Sequence, residues 1–181
     1  MLKTCLAATA IVLLAQSAAA HVAFAPATAE AGTTYVGALR VSHGCDGSAT
    51  VKLRVEIPAT LMGAKPQLKP GWTVTVERTP LAQPITGDNG KTITDRVSAI
   101  TWTGRLPDED FDDFTVLLKL PKDAGPLYLP AVQTCDSGSI AWTDIPKAGQ
   151  AWHDVPHPAP VLTLQPADTM PDMPGMDHAK M

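Results

Sequence analysis

Apolar and polar residues alternate with period two through much of the chain. Between residues 50 and 57, Val51, Leu53, Val55 and Ile57 alternate with Lys52, Arg54 and Glu56. Trp72, Val74 and Val76 alternate with Thr73, Thr75 and Glu77, and Phe114, Val116, Leu118 and Leu120 repeat the pattern. Successive side chains of a strand point to opposite faces, so each run predicts a half-buried strand. Weaker strands are predicted at 34–41, 97–103, 127–132, 140–143 and 161–164. Turn signals separate them, among them Gly44-Cys45-Asp46-Gly47, Lys69-Pro70-Gly71, Gly87-Asp88-Asn89-Gly90 and Asp136-Ser137-Gly138. Short strands joined by such turns predict an all-β fold, an antiparallel β-sandwich. Half-apolar faces exclude a wholly buried parallel sheet.

The two ends of the chain depart from this pattern. Met1-Leu2-Lys3 is followed by an apolar or small run from Leu6 to Leu14, and Ala18 and Ala20 satisfy the A-x-A rule for leader cleavage. The run is too short to span a membrane, which takes about 20 apolar residues. Residues 1–20 therefore read as an export signal, and the mature protein is expected in the periplasm or secreted. Beyond Thr143 the prolines 146, 156, 158, 160 and 166 limit regular structure. Residues 161–164 fit a last edge strand, and 165–181 is Pro-, Asp- and Met-rich without periodicity, a composition expected of a disordered tail. The expected organisation is a leader (1–20), one β-domain (21–164) and a tail (165–181).

Loss of Lys3 with the leader takes the formal net charge from −4 to −5. That balance argues against a nucleic-acid partner, which calls for a basic surface, and mildly favours cationic ligands. The leader also removes Cys5 and leaves Cys45 and Cys135. In an oxidising compartment an even pair is read as a disulfide. The alternative, two thiolates on a soft metal, lacks the close C-x-x-C spacing.

Cleavage after Ala20 makes His21 the first residue. Its new α-amine and its own imidazole then close one chelate ring, which suits Cu(II) and its preference for nitrogen in a tetragonal plane. The amine has an unperturbed pKa of about 7.7–8.0, so the metal must displace its proton at neutral pH. A second cluster lies in the tail, where Met170, Met173, Met176, His178 and Met181 offer soft thioethers and an imidazole suited to Cu(I). Methionines at this spacing also mark the apolar stripe of a helix, but Pro171 and Pro174 oppose one. Trp72 and Trp102, in alternating strands, are read as core. His153 and His157, beside Trp152, are ambiguous, compatible with surface-loop residues, and are assigned no role.

His21-Val22-Ala23-Phe24-Ala25-Pro26 with Ala31-Gly32 resembles the start of the YcnI-like family of exported copper-binding proteins. Arg40-Val41, the 51–58 strand, Pro70-Gly71-Trp72, Phe114-Thr115 and Ser139-Ile140-Ala141-Trp142-Thr143 extend the resemblance, scattered over residues 21–145. It implies an Ig- or cupredoxin-like β-sandwich with a Cu(II) site on the first mature histidine, completed by an early glutamate and a late-strand tryptophan. It also implies copper trafficking, with a membrane copper transporter or another periplasmic copper chaperone as partner. His21 matches the histidine and Trp142 the tryptophan. Taken alone, Trp142 reads as core, as a tryptophan in a strand usually is; its indole N–H only donates and is no ordinary ligand, but its π-face suits a cation. The glutamate has no counterpart: the chain reads Val41-Ser42-His43-Gly44-Cys45-Asp46, with His43 nearest, Asp46 the carboxylate alternative and Glu30 more distant. For His43 two readings stand side by side, a third nitrogen ligand or a turn residue beside the disulfide.

The sequence thus points to a copper-binding protein working by ligand exchange, not to an enzyme. One rival is a copper oxygenase with a His21/His43 brace; its substrate surface is disfavoured by an aromatic content of only 5%. Another is a structural β-sandwich with incidental metal-binding residues. No G-x-S-x-G, GxGxxG or P-loop occurs.

Overall fold

The computed structural model describes residues 21–167 except Met62, Asp88 and Asn89. Two sheets face each other. One has the order β1 (Ala23–Ala25), β3 (Thr34–Val41), β8 (Asp112–Lys119) and β5 (Gly63–Pro66). The other has the order β11 (Ser139–Trp142), β10 (Ala131–Cys135), β4 (Thr50–Glu56), β7 (Thr92–Leu106) and β6 (Thr73–Thr86). A small third sheet orders β2 (Thr28–Glu30), β12 (Val161–Gln165) and β9 (Gly125–Tyr128). All named pairings are antiparallel except β2 with β12. No described helix is long and apolar enough to cross a membrane.

The alternating runs supply the core. Phe114, Val116 and Leu118 on β8 are fully buried, as are Leu53 and Val55 on β4 and Ile100 and Trp102 on β7. Phe114 meets Trp102 edge-on across the sandwich at 5.6 Å between ring centroids, and Trp72 at 4.9 Å. Trp102 is core as expected, whereas Trp72 is only partly buried at the rim. Its ring lies over Gly104, where a Cβ would come within 2.4 Å of it.

Three local departures have physical causes. A register shift between Thr50 and Lys52 interrupts the β4 alternation, so Thr50 is buried while Val51 is only half-buried; a bulge moves later side chains to the other face. The predicted strand at 127–132 breaks at Pro130, so β9 joins the small sheet and β10 the five-stranded one. The predicted last edge strand, β12, instead lies between β2 and β9. Edge strand β6 carries Pro80 and Pro84, which an edge tolerates because one row of its N–H groups has no partner strand.

Cys45 and Cys135 are bonded, with Cα atoms 6.0 Å apart and a sequence separation of 90. The bridge ties the β3–β4 connection to the end of β10. In the chain-entropy account, closing so long a loop restricts the unfolded chain by about 4 kcal/mol.

Candidate metal centre

Val22 is 1% exposed and fixed in the core, so the backbone reaches the surface one residue earlier, at His21. The half-buried His21 ring lies against two indoles. Trp142 is edge-on at 5.6 Å between centroids and Trp152 is tilted at 5.0 Å. Trp142 is the last residue of β11, and its ring also meets that of His157 edge-on at 5.8 Å.

Trp142 is held by a residue for which the sequence gives no metal-site signal. Gln133 on β10 is 1% exposed, and its side-chain oxygen accepts the Trp142 indole N–H at 3.0 Å. An indole can only donate, which settles the orientation of the Gln133 amide. Its NH2 group then donates to the Thr50 hydroxyl at 2.7 Å and to the His43 carbonyl oxygen at 2.8 Å. One buried amide therefore fixes the indole and the β3–β4 connection together. With the Trp142 N–H engaged, that indole offers the site its π-surface.

His43 precedes a tight turn. Cys45 and Ser48 exchange backbone hydrogen bonds of 2.9 Å, and Asp46 and Gly47 have φ values of 48° and 81°. The Gly44 N–H donates to Asp108 at 2.9 Å, and a Cβ on Gly44 would fall 1.9 Å from the Ser48 carbonyl oxygen. His43 Nδ1 hydrogen-bonds the Gly44 carbonyl oxygen. A carbonyl only accepts, so Nδ1 carries the proton and Nε2 of a neutral ring keeps its lone pair. Asp46, the carboxylate alternative, is exposed at the turn. Glu30 lies on β2 beside a shallow cavity lined by Thr28, Ala29, Gln165 and Pro166.

Burial, first, and then the charges of His153, His157 and His43 lower the proton affinity of His21. Among the described residues, the rings that lie against His21 are the two indoles, Trp142 and Trp152. The sequence offered no reason to bring His153 and His157 here; only the return of residues 144–160 across this end of the sandwich does so. Met170, Met173, Met176, His178 and Met181, like residues 1–20, in which the leader is expected, lie outside the described residues. No three described His, Cys, Asp or Glu residues form a metal-binding cluster among themselves. A chelate on a terminal histidine takes two donors from one residue and needs fewer partners.

Residues 21–164 match a family described as a domain of unknown function, DUF1775. The chain belongs to this family. It is also similar to an uncharacterized protein from Nocardia farcinica whose crystal structure reveals an immunoglobulin-like fold. The two are 29% identical, with a TM-score of 0.60 over 80% of this chain and 97% of that one. No curated protein matches the chain. The DUF1775 domain described here is thus an immunoglobulin-like sandwich with an imidazole-and-indole cluster at one end.

Proposed function

We propose that this DUF1775 protein is an exported copper-binding protein that holds Cu(II) at His21 and passes it on by ligand exchange. The observation that carries the reading is the setting of His21: its ring sits against Trp142 and Trp152, with Trp142 fixed through Gln133. The donor set fits the metal. Nitrogen donors suit Cu(II), a lowered proton affinity keeps the His21 imidazole ready to bind, and an indole face accommodates a cation. Copper would add the affinity and the redox couple; the chain supplies the terminal chelate and the apolar wall that limits water.

The Met/His tail is proposed to hold Cu(I), so that one chain keeps either oxidation state, with delivery to a membrane copper transporter or a second periplasmic chaperone. The test of the first site compares mature protein beginning at His21 with a form carrying one extra residue before it. Stoichiometric Cu(II) uptake with a nitrogen-rich electron paramagnetic resonance spectrum is expected for the first and its loss for the second. An unchanged spectrum in the extended form would overturn the terminal chelate. A variant ending at Ala167 tests the tail: Cu(I) affinity is expected to fall at least tenfold, and full retention would remove the second site.

A further inference from the structure

The least regular part of the described chain is built to face His21. Asp144, two residues after Trp142, donates its backbone N–H to the His157 carbonyl oxygen at 3.0 Å, and its carboxylate accepts the His157 N–H at 3.0 Å. Its carbonyl oxygen accepts the Ala159 N–H at 2.9 Å. The Trp152 indole N–H donates to the Ala159 carbonyl oxygen at 2.7 Å, which turns its ring toward His21. A single 3-10 turn, Trp152–Asp154, is closed by the Asp154 carboxylate accepting the Ala151 N–H at 3.0 Å. Segment and strand end are thus clamped together, so Trp152 keeps a fixed place beside His21 and His157 one beside Trp142.

We propose that the segment 144–160 forms the second wall of the metal site, with Trp152 covering the His21 ring and the pair His153 and His157 supplying the second imidazole donor. This rests on the Cu(II) reading above and assigns to this segment the role that the family resemblance left open to His43. Two contacts favour it. The rings of His21 and His157 both lie edge-on against Trp142, within 5.6 and 5.8 Å. Meanwhile His43 is tied down twice, through its carbonyl oxygen to Gln133 and through Nδ1 to the Gly44 carbonyl oxygen. One imidazole beyond the terminal chelate gives three nitrogen donors from two residues.

The experiment uses full-length mature protein in four forms: unchanged, His153→Ala/His157→Ala, His43→Ala and Trp152→Leu. Cu(II) affinity is measured by competition with a chelator, and bound nitrogens are counted by pulsed electron paramagnetic resonance. The double histidine variant is expected to lose one imidazole coupling and at least tenfold in affinity, while His43→Ala changes affinity less than threefold. Trp152→Leu is expected to keep the coupling pattern but release Cu(II) to chelator several-fold faster. Thermal melts identify any variant that misfolds, and His153→Gln/His157→Gln then replaces the alanine pair. If unchanged protein binds Cu(II) and the double variant keeps affinity and couplings, the second wall is refuted while the terminal chelate stands. If unchanged protein binds no Cu(II), both readings fall.

Discussion

Gln133 shows how much of the site depends on one residue that carries no metal signal. Replacing it with leucine keeps the volume but leaves the Trp142 indole N–H, the Thr50 hydroxyl and the His43 carbonyl without this partner. Unsatisfied buried groups cost about 1–3 kcal/mol each. Gln133→Leu should therefore lower unfolding free energy by about 3 kcal/mol in denaturant titrations and shift tryptophan emission as Trp142 loosens. Tyr35 makes a second residue-level case. Its hydroxyl donates to the Pro26 carbonyl oxygen over Gly37, where a Cβ would overlap the ring, and burial pushes its pKa up to about 12 from 10.0. A raised folded-state value favours the protonated form, so this contribution is whole below pH 10 and is lost as pH rises through about 12. Wild type should lose roughly 2 kcal/mol over that window and Tyr35→Phe should not, as alkaline denaturation curves would show.

At the scale of elements, the disulfide and the turn beside it set the β3–β4 connection. Cys45→Ser/Cys135→Ser should cost about 4 kcal/mol, seen as a lower denaturation midpoint in the double variant than in oxidised wild type. Gly44→Ala forces a Cβ into the Ser48 carbonyl oxygen, and backbone there has little room to yield. It should destabilise the fold by about 2 kcal/mol while Gly47→Asn, at a left-handed position with open space around it, stays near neutral. Arg40 on β3 and Asp113 on β8 pair across the sheet with hydrogen bonds of 2.8 Å. The Arg40 hydrogen bonds hold the Asp113 carboxyl below its ordinary value against desolvation. That depressed value means the pair's contribution is present above the ordinary carboxylate range and fades as pH falls through the folded-state value. Acid titration of Asp113→Asn should accordingly lack part of the wild-type slope.

Across the whole molecule, what the sequence revealed and what it hid follow from the range of the interactions. Strands such as β3, β4 and β8 were legible because half-burial writes itself into local alternation, and the Cys45–Cys135 pair was legible because the expected leader takes Cys5 and leaves an even number. Strands β1, β2 and β5 span three or four residues, too few to display a period. The place of β12 between two partners depends on chain crossings that no local pattern records. At the imidazole-and-indole cluster, His21 drew notice through the expected cleavage point and Trp142 only through family resemblance; that the two rings meet is a finding of the structure. Trp152, His153 and His157 were present in the sequence but not interpretable, because Asp144 and Ala159 fold them back from a proline-rich stretch that carries no periodicity.

Val22 limits where the sandwich tolerates a chain start. Its side chain is 1% exposed and belongs to the core, so a chain beginning at Val22 would set an ammonium group directly against the apolar interior, where charge is penalised. A chain beginning at His21 would keep that group one residue further out. Chains shortened to Val22 should therefore melt earlier than chains beginning at His21 and be cut sooner by proteases.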